Sequence, residues 1–268
     1  MSYEMIVLDL DDTLLLNNGK ISKANKNTLK LAQEKGVKVV LASGRPTFAI
    51  KNIADELELE KYGGYILSYN GSRIVDYKTK EVLYEIDLTK EQVEKLYDLA
   101  IKYENFIHTY DGDYILTCHD NPYTYIESEI TGMKIKMCED FKASLPEKCV
   151  KVIMLQSPNH LKEVEEMLKP QIKDKMTMSI TKPYFLEFMN KEVDKSKSIL
   201  RLCEKLNIDI KNVIAIGDSY NDISMVEVAG LGVAMENGVE EIKKIADYVT
   251  DTNENDGVAK VIEKYILN

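Results

Sequence analysis

A chain of 268 residues, 44% hydrophobic and 30% charged, has the composition of a globular protein with one large domain or two smaller ones. Its net charge of -10 argues against nucleic acid or an anionic membrane as the main partner. No apolar run approaches the roughly 20 residues of a membrane span. The opening MSYEMIVLDL has neither the basic start nor the cleavage site of an export signal. Cys118, Cys138, Cys149 and Cys203 are scattered, without metal-knuckle or redox spacing, which predicts reduced thiols in a cytoplasmic protein. Nothing in the sequence fixes an oligomeric state.

Residues 4–10 (EMIVLDL) predict a short buried strand ending in acidic residues, and Lys23 to Lys35 predicts a helix stopped by Gly36. A second strand over 37–42 ends at Ser43-Gly44-Arg45-Pro46. A helix over Thr47–Leu57 and a strand over Tyr65–Ser68 then lead to the turn signal Asn70-Gly71. The pattern changes over residues 83–187. There VLYEIDL, FIHTYDGDYILTCH, KCVKVIMLQ and MTMSITKPYFLEFM are strand-like, Asp111-Gly112 is a hairpin turn, and Lys90–Lys102 and Leu161–Leu168 are helical. The first grammar then returns: a helix over Lys195–Leu206, a strand over Val213–Ile216 ending in Gly217-Asp218, and a helix from Asp222 to Ala229. A strand over Gly232–Met235 and a helix over Glu240–Ala246 follow. Alternating strands and helices predict an α/β core with a parallel sheet, built from residues 1–82 and 188–268. The hairpins between them predict an inserted α+β domain, 83–187, with an antiparallel sheet.

Open parallel sheets bind ligands outside the carboxyl ends of their strands. Three predicted strands end there in polar clusters: Asp9-Leu10-Asp11-Asp12-Thr13, Ser43-Gly44-Arg45 and Gly217-Asp218-Ser219-Tyr220-Asn221-Asp222. Residues two apart on extended backbone project to one side, so Asp9 and Asp11 are expected to face one cleft. Such a pair suits one ionised nucleophile or metal ligand beside one general acid. Helix N-capping is the plain alternative for Asp11, Asp12 or Thr13, and it stays the reading for Asp12. Ser43 and Gly44 precede a helix, where main-chain N–H groups and a hydroxyl can cradle phosphate or simply cap. Asp218 and Asp222, with Asp9, offer hard oxygen ligands without competing His or Cys, which suits Mg²⁺. Before the late helix, Lys195 and Lys197 are both candidates for the cation that a phosphate needs. Tyr123, Tyr125 and Tyr184 offer aromatic surface for a substrate, with core packing as their simpler role.

Together these residues resemble the haloacid dehalogenase superfamily, specifically its Cof-type phosphatases. The likeness rests on DLDDTL (9–14), ASGR (42–45), VDKSKS (193–198) and GDSYNDISM (217–225), in that order, with Asn70-Gly71 and the stretch Asn255–Ala259 in support. Ser196 stands where the family usually has Gly, and Met235-Glu236-Asn237-Gly238 departs from its more usual Gly-Asn-Ala loop. The resemblance implies a Rossmann-like core with a large α/β cap that closes over the site. It also implies a Mg²⁺-dependent phosphatase for small phosphorylated metabolites such as sugar phosphates, nucleotides or cofactors. By the same resemblance Asp9 is the nucleophile and Asp11 the acid/base. The metal ligands are Asp9, Asp218 and the Asp11 carbonyl. Ser43, Gly44, the Leu10 main chain, Lys195 (rather than Lys197) and Asn221 bind phosphate, and Arg45 and Asp222 are supporting residues.

Other chemistries fit less of the chain. A phosphomutase would share the phosphoryl chemistry and differ in product. A phosphoryl-accepting signalling module needs an Asp after the third strand, where Ser68-Tyr69-Asn70 stands. A dinucleotide-binding oxidoreductase could use Gly230 and Gly232, but Met235 occupies the third glycine position.

Overall fold

The apolar runs become strands buried on both faces, as central strands of a parallel sheet must be. The computed structural model describes residues 3–172 and 175–268. It begins with β1 (Met5–Leu8), α1 (Lys23–Glu34), β2 (Lys38–Ala42), α2 (Thr47–Glu56) and α3 (Leu59–Tyr62). Ser22 caps α1 by accepting from the Asn25 N–H at 3.1 Å, and Gly36, at φ +90°, follows its end. Next come β3 (Tyr65–Ser68), β4 (Arg73–Asp76) and β5 (Val82–Glu85). The middle of the chain supplies α4 (Lys90–Lys102), β6 (Phe106–Asp111), β7 (Tyr114–Thr117), α5 (Pro122–Thr131) and β8 (Lys134–Met137). It continues with β9 (Lys151–Leu155), α6 (Pro158–Ile172), β10 (Met176–Lys182) and β11 (Phe185–Asn190). The last stretch holds α7 (Lys195–Leu206), β12 (Val213–Gly217), α8 (Ile223–Val228) and β13 (Leu231–Ala234). It ends with α9 (Glu240–Ile245), β14 (Tyr248–Val249) and α10 (Gly257–Ile262).

Two compact units result: Met1–Glu85 with Asp194–Asn268, and Ile86–Val193. The first is an α/β Rossmann-like core. Its sheet runs β14-β13-β12-β1-β2-β3-β4-β5, parallel from β14 to β3 and antiparallel over β3, β4 and β5. Alternate residues serve opposite faces. Ile6, Leu8, Val39 and Leu41 pack with α1, α2 and α10, while Met5, Val7, Val40 and Ala42 pack with α7, α8 and α9. Register sets Leu8 beside both Leu41 and Ile216, so β1, β2 and β12 end at one level. That alignment positions the site.

The second unit has its own sheet, β10-β11-β9-β6-β7-β8, antiparallel except for the parallel pair β7–β8. One face packs Ile107, Val152, Met154 and Phe188 against α4 and α6. The other lies under α5 and buries polar side chains. Lys151 Nζ reaches Glu187 Oε1 at 3.0 Å, Tyr110 donates its hydroxyl proton to Glu127, and His108 Nδ1 meets Thr124 Oγ1 at 3.2 Å. Tyr123 and Tyr184 stack with centroids 5.9 Å apart, and Tyr184 meets Phe185 edge-on, whereas Tyr125 is exposed.

Four expected helices, beginning at Lys23, Thr47, Lys90 and Lys195, are present with ends within one residue. The expected unit boundaries move. VLYEIDL divides, because Val82–Glu85 pairs with β4 in the first sheet and the second unit starts at Ile86. At the other end β11 extends its pairing with β10 to Asn190, so the unit runs to Val193 rather than 187. Neither α5 nor β8 is signalled by the sequence. The α5 segment PYTYIESEIT lacks a clear apolar stripe, and KIKM of β8 is largely exposed.

Burial, with the nearby Lys151 charge adding to it, lowers the His108 imidazole to about 3. The unfolded chain therefore binds one more proton than the folded chain between pH about 6.5 and 3. Over that window His108 removes stability as pH falls, with a slope of at most about 1.4 kcal/mol per pH unit. Denaturant titrations of His108→Asn are expected to show a shallower acid loss than the parent; equal slopes would refute the assignment.

Candidate active site

Asp9 continues the ladder one residue past β1, its N–H donating to Ile216 O at 3.0 Å with extended backbone (φ -66°, ψ 162°). The chain then turns tightly through Leu10–Leu14, with Asp12 in the left-handed region at φ +61°. Leu10 and Leu14 are wholly buried and anchor this turn in the core. Asn237 Nδ2 donates to Asp12 O at 2.7 Å, and Asn253 Nδ2 to Leu15 O at 2.9 Å, holding the turn from the C-terminal side.

Lys195 opens α7, which Asp194 caps by accepting from the Lys197 N–H at 3.1 Å. Its side chain is 0% exposed, and Nζ donates to Asp9 Oδ1 at 2.6 Å, Asp222 Oδ1 at 2.6 Å and Ala42 O at 2.9 Å. All three ammonium donors are used. Burial alone would lower this ammonium, but the Asp222 and Asp9 carboxylates outweigh it and hold it above its usual value. Asp222 is equally committed: its Oδ2 accepts the N–H groups of Asp218 and Ser219, both at 3.1 Å. Gly217 makes this possible, since a Cβ there would lie 2.5 Å from Asp222 Cβ.

Asp218 completes a cluster with Asp9 and Asp222 in which one oxygen from each lies within 4.8 Å of the others. Thr13 donates to Asp218 Oδ1 at 2.8 Å. Burial raises the Asp9 carboxyl well above the usual range; Asp222 and Asp218 push the same way and Lys195 pulls it down. Burial likewise lifts Asp218 to about 6, with Thr13 opposing and Asp222 and Asp12 adding. Three carboxylates and one ammonium sum to a formal charge of -2 if all ionise, which a divalent cation would balance. The all-oxygen donor set suits such an ion.

A second group lines the same strand ends. Ser43 is buried; its N–H bonds Leu67 O, its carbonyl accepts from Asn70 N–H and its Oγ from Arg45 N–H at 3.2 Å. Asn70, at φ +55°, accepts from Asn221 Nδ2 at 3.1 Å, and a Cβ on Gly44 would sit 3.3 Å from Asn70 Oδ1. Ser198 Oγ donates to Gly71 O at 2.6 Å, fastening this turn to α7.

The structure thus brings Asp9, Lys195, Asp218 and Asp222 together, and places Ser43, Gly44, Asn70 and Asn221 in a neighbouring hydrogen-bonded group. Past Leu8 the strand gives way to a tight turn. There the Asp11 carboxylate pairs with Arg45, with Nε–Oδ2 at 2.9 Å and Nη2–Oδ1 at 2.5 Å, its side chain 57% exposed. Any part of Asp11 in holding metal falls to its main-chain carbonyl. Asp222, expected as a support, is the second carboxylate on Lys195. Between the two lysines, geometry selects Lys195. Sequence reasoning gave Thr13 only a capping role and missed Asn237 and Asn253, which act through loops far apart in the chain. Asn237 lies in the loop that departs from the family pattern, the one signal that pointed towards it.

Because Asp222 fits only against a residue without Cβ, Gly217→Ala is expected to displace it and loosen Lys195. Phosphate release should fall at least about tenfold while circular dichroism stays native. Undiminished turnover would show that the close approach at Gly217 is dispensable.

Comparison with known proteins follows the same lines. A family model of haloacid dehalogenase-like hydrolases matches residues 6–262. The 5-amino-6-(5-phospho-D-ribitylamino)uracil phosphatase YcsE of Bacillus subtilis is 30% identical over 273 residues, covering 100% of this chain and 97% of its own. A haloacid dehalogenase-like hydrolase from Bacteroides thetaiotaomicron superposes with TM-score 0.91 at 42% identity, covering 98% of this chain and 99% of that one. A subclass IIB sugar phosphatase of the same superfamily superposes with TM-score 0.80 at 25% identity, covering 98% of each chain. The chain belongs to the haloacid dehalogenase-like hydrolases, and among them to the Cof-type phosphatases, which hydrolyse phosphoric monoesters.

Proposed function

We propose that the chain hydrolyses phosphomonoesters of small metabolites with bound Mg²⁺, through a phosphoryl group carried transiently on Asp9. The observation that carries this reading is the buried Lys195 ammonium, bridging Asp9 and Asp222 beside Asp218. Two like unit charges about 4 Å apart cost about 4 kcal/mol at an effective dielectric near 20, so an anionic nucleophile meeting a phosphate needs fixed positive charge. Lys195 supplies it from the protein.

Asp9, Asp218 and the Asp11 carbonyl would hold the Mg²⁺, which when bound adds positive charge at the phosphate oxygens. Asp222 has both oxygens occupied by Lys195 and main-chain N–H groups, so its work is to fix the lysine. The Ser43 hydroxyl, the Gly44 and Leu10 main chain and Asn221 receive the remaining phosphate oxygens. An Asp9 oxygen attacks phosphorus, the ester oxygen departs, and Asp11 gives it a proton. A water then passes a proton to Asp11 and attacks the same phosphorus, releasing phosphate and restoring Asp9. Arg45 holds Asp11 by both oxygens at rest, and the incoming phosphate is a competing anion for that guanidinium.

The relatives named for a phosphoribityl compound and for sugars point to phosphorylated polyols, and nucleotides and cofactor phosphates complete the set to test. With Mg²⁺ present, a panel of such esters is expected to yield free phosphate rather than isomerised ester, which separates a hydrolase from a mutase. Asp9→Asn is expected to lower the rate by at least about 10³-fold with the fold intact. A parental rate in that variant removes the nucleophile assignment.

Metal binding carries a pH signature. Asp218, at about 6 in the metal-free chain against an ordinary 3.8, favours folding when protonated. That contribution is complete below pH about 4 and gone above about 6, whereas metal requires the ionised form. Calorimetric titration of the metal-free protein with Mg²⁺ should show proton release and weaker binding as pH falls from 7 to 5. Asp218→Asn should weaken the dependence, leaving the part that Asp9 carries; a flat affinity across that range in the parent would count against it.

A further inference from the structure

The geometry points to Cys118 and Cys138 as a reversible disulfide pair, a redox modification site in the second unit. Twenty residues separate them in sequence, and the sheet brings them together. β7 and β8 pair in parallel with Thr117 opposite Met137. The ladder continues one step further, the Cys138 N–H donating to Thr117 O at 2.9 Å, which sets Cys118 opposite Cys138. Neighbouring strands lie about 4.8 Å apart. That spacing falls within the roughly 4.4–6.8 Å that Cα atoms span in disulfides.

Both side chains leave the sheet on the same face, since both pack against the apolar cluster that includes Leu96 and Phe141. Both are half-buried, whereas Cys149 and Cys203 are buried, so the facing pair is also the pair a small reagent can reach. Burial, followed by the neighbouring Cys138 and the charge of Asp140, lifts the Cys118 thiol to about 12. Cys118 is therefore protonated at neutral pH and reacts second, and the pair stays reduced until an oxidant arrives.

The oxidant is a low-molecular-weight disulfide. The Cys138 thiolate attacks one of its sulfurs, the S–S bond breaks, and one thiolate leaves with the electron pair. The Cys118 sulfur then attacks the mixed disulfide at Cys138, gives up its proton and expels the second thiolate. Two protein thiols are oxidised, one small disulfide is reduced to two thiols, and both protons pass to those thiols. The new bond closes a ring around α5, whose Thr124 and Glu127 hold His108 and Tyr110 of β6.

The test uses the purified full chain, folded, with excess oxidised glutathione, then alkylation and peptide mapping by mass spectrometry. The expected product is a linked peptide joining Cys118 to Cys138, with loss of both accessible thiols in a native thiol assay and their return on reduction. Cys118→Ser should abolish the link and leave a glutathione adduct on Cys138, whereas Cys138→Ser should abolish the link and leave Cys118 largely unmodified. Three outcomes would overturn the proposal. These are stable glutathione adducts on both cysteines of the parent without a link, no oxidation of the folded chain, or a link that forms only in denaturant.

Discussion

The arrangement depends on a lysine ammonium placed where water cannot reach it. An ion of that size loses several kcal/mol of hydration on burial, and only close, well-directed acceptors recover it. Lys195 finds three, each from a different part of the fold: Asp9 after β1, Asp222 ahead of α8, and the last carbonyl of β2. The register of three parallel strands, the start of α7 and the bare α-carbon of Gly217 are all conditions for that one charge to be stable. Charge compensation and the geometry of the cluster are here the same requirement.

Asp9, Asp11, Asp218 and Asp222 lie within five residues of two strand ends, yet each has its own set of partners. Asp222 is saturated by donors, Asp9 shares the ammonium, Asp218 leans on a threonine hydroxyl, and Asp11 is clamped by a surface guanidinium. Distinct surroundings are how chemically identical carboxyl groups come to do different work.

Much of the core was legible because a buried parallel strand is a continuous apolar run, and because polar residues cluster where such runs stop. The helices beginning at Lys23 and Lys90 are capped by Ser22 and Thr89, signals that the sequence carries just before each start. Lys195 could not be separated from Lys197 by spacing, since both stand in one helical turn and only packing decides which is interior. The pairing of Asp11 with Arg45 was hidden for a different reason: the two follow different strands, and only the fold sets them side by side. Edge strands were read least well. Val82–Glu85 looks like its successors in composition, and its allegiance to β4 is a matter of pairing rather than pattern. The same holds for Cys118 and Cys138, whose adjacency exists only in the ladder.

β1 is made first and lies in the middle of its sheet, with one neighbour, β2, following within about thirty residues and the other, β12, some two hundred residues later. On a ribosome, the inserted unit has emerged complete before that second neighbour exists. The nascent core therefore waits as a half-sheet with an open edge along β1, its acidic strand end still lacking the lysine of α7. Assembly of the cluster around Lys195 is thus a late event in the life of the chain, and an mRNA cut short between the codons of Val193 and Val213 encodes the whole insertion but a core without β12. Long-range closure of this kind is slow.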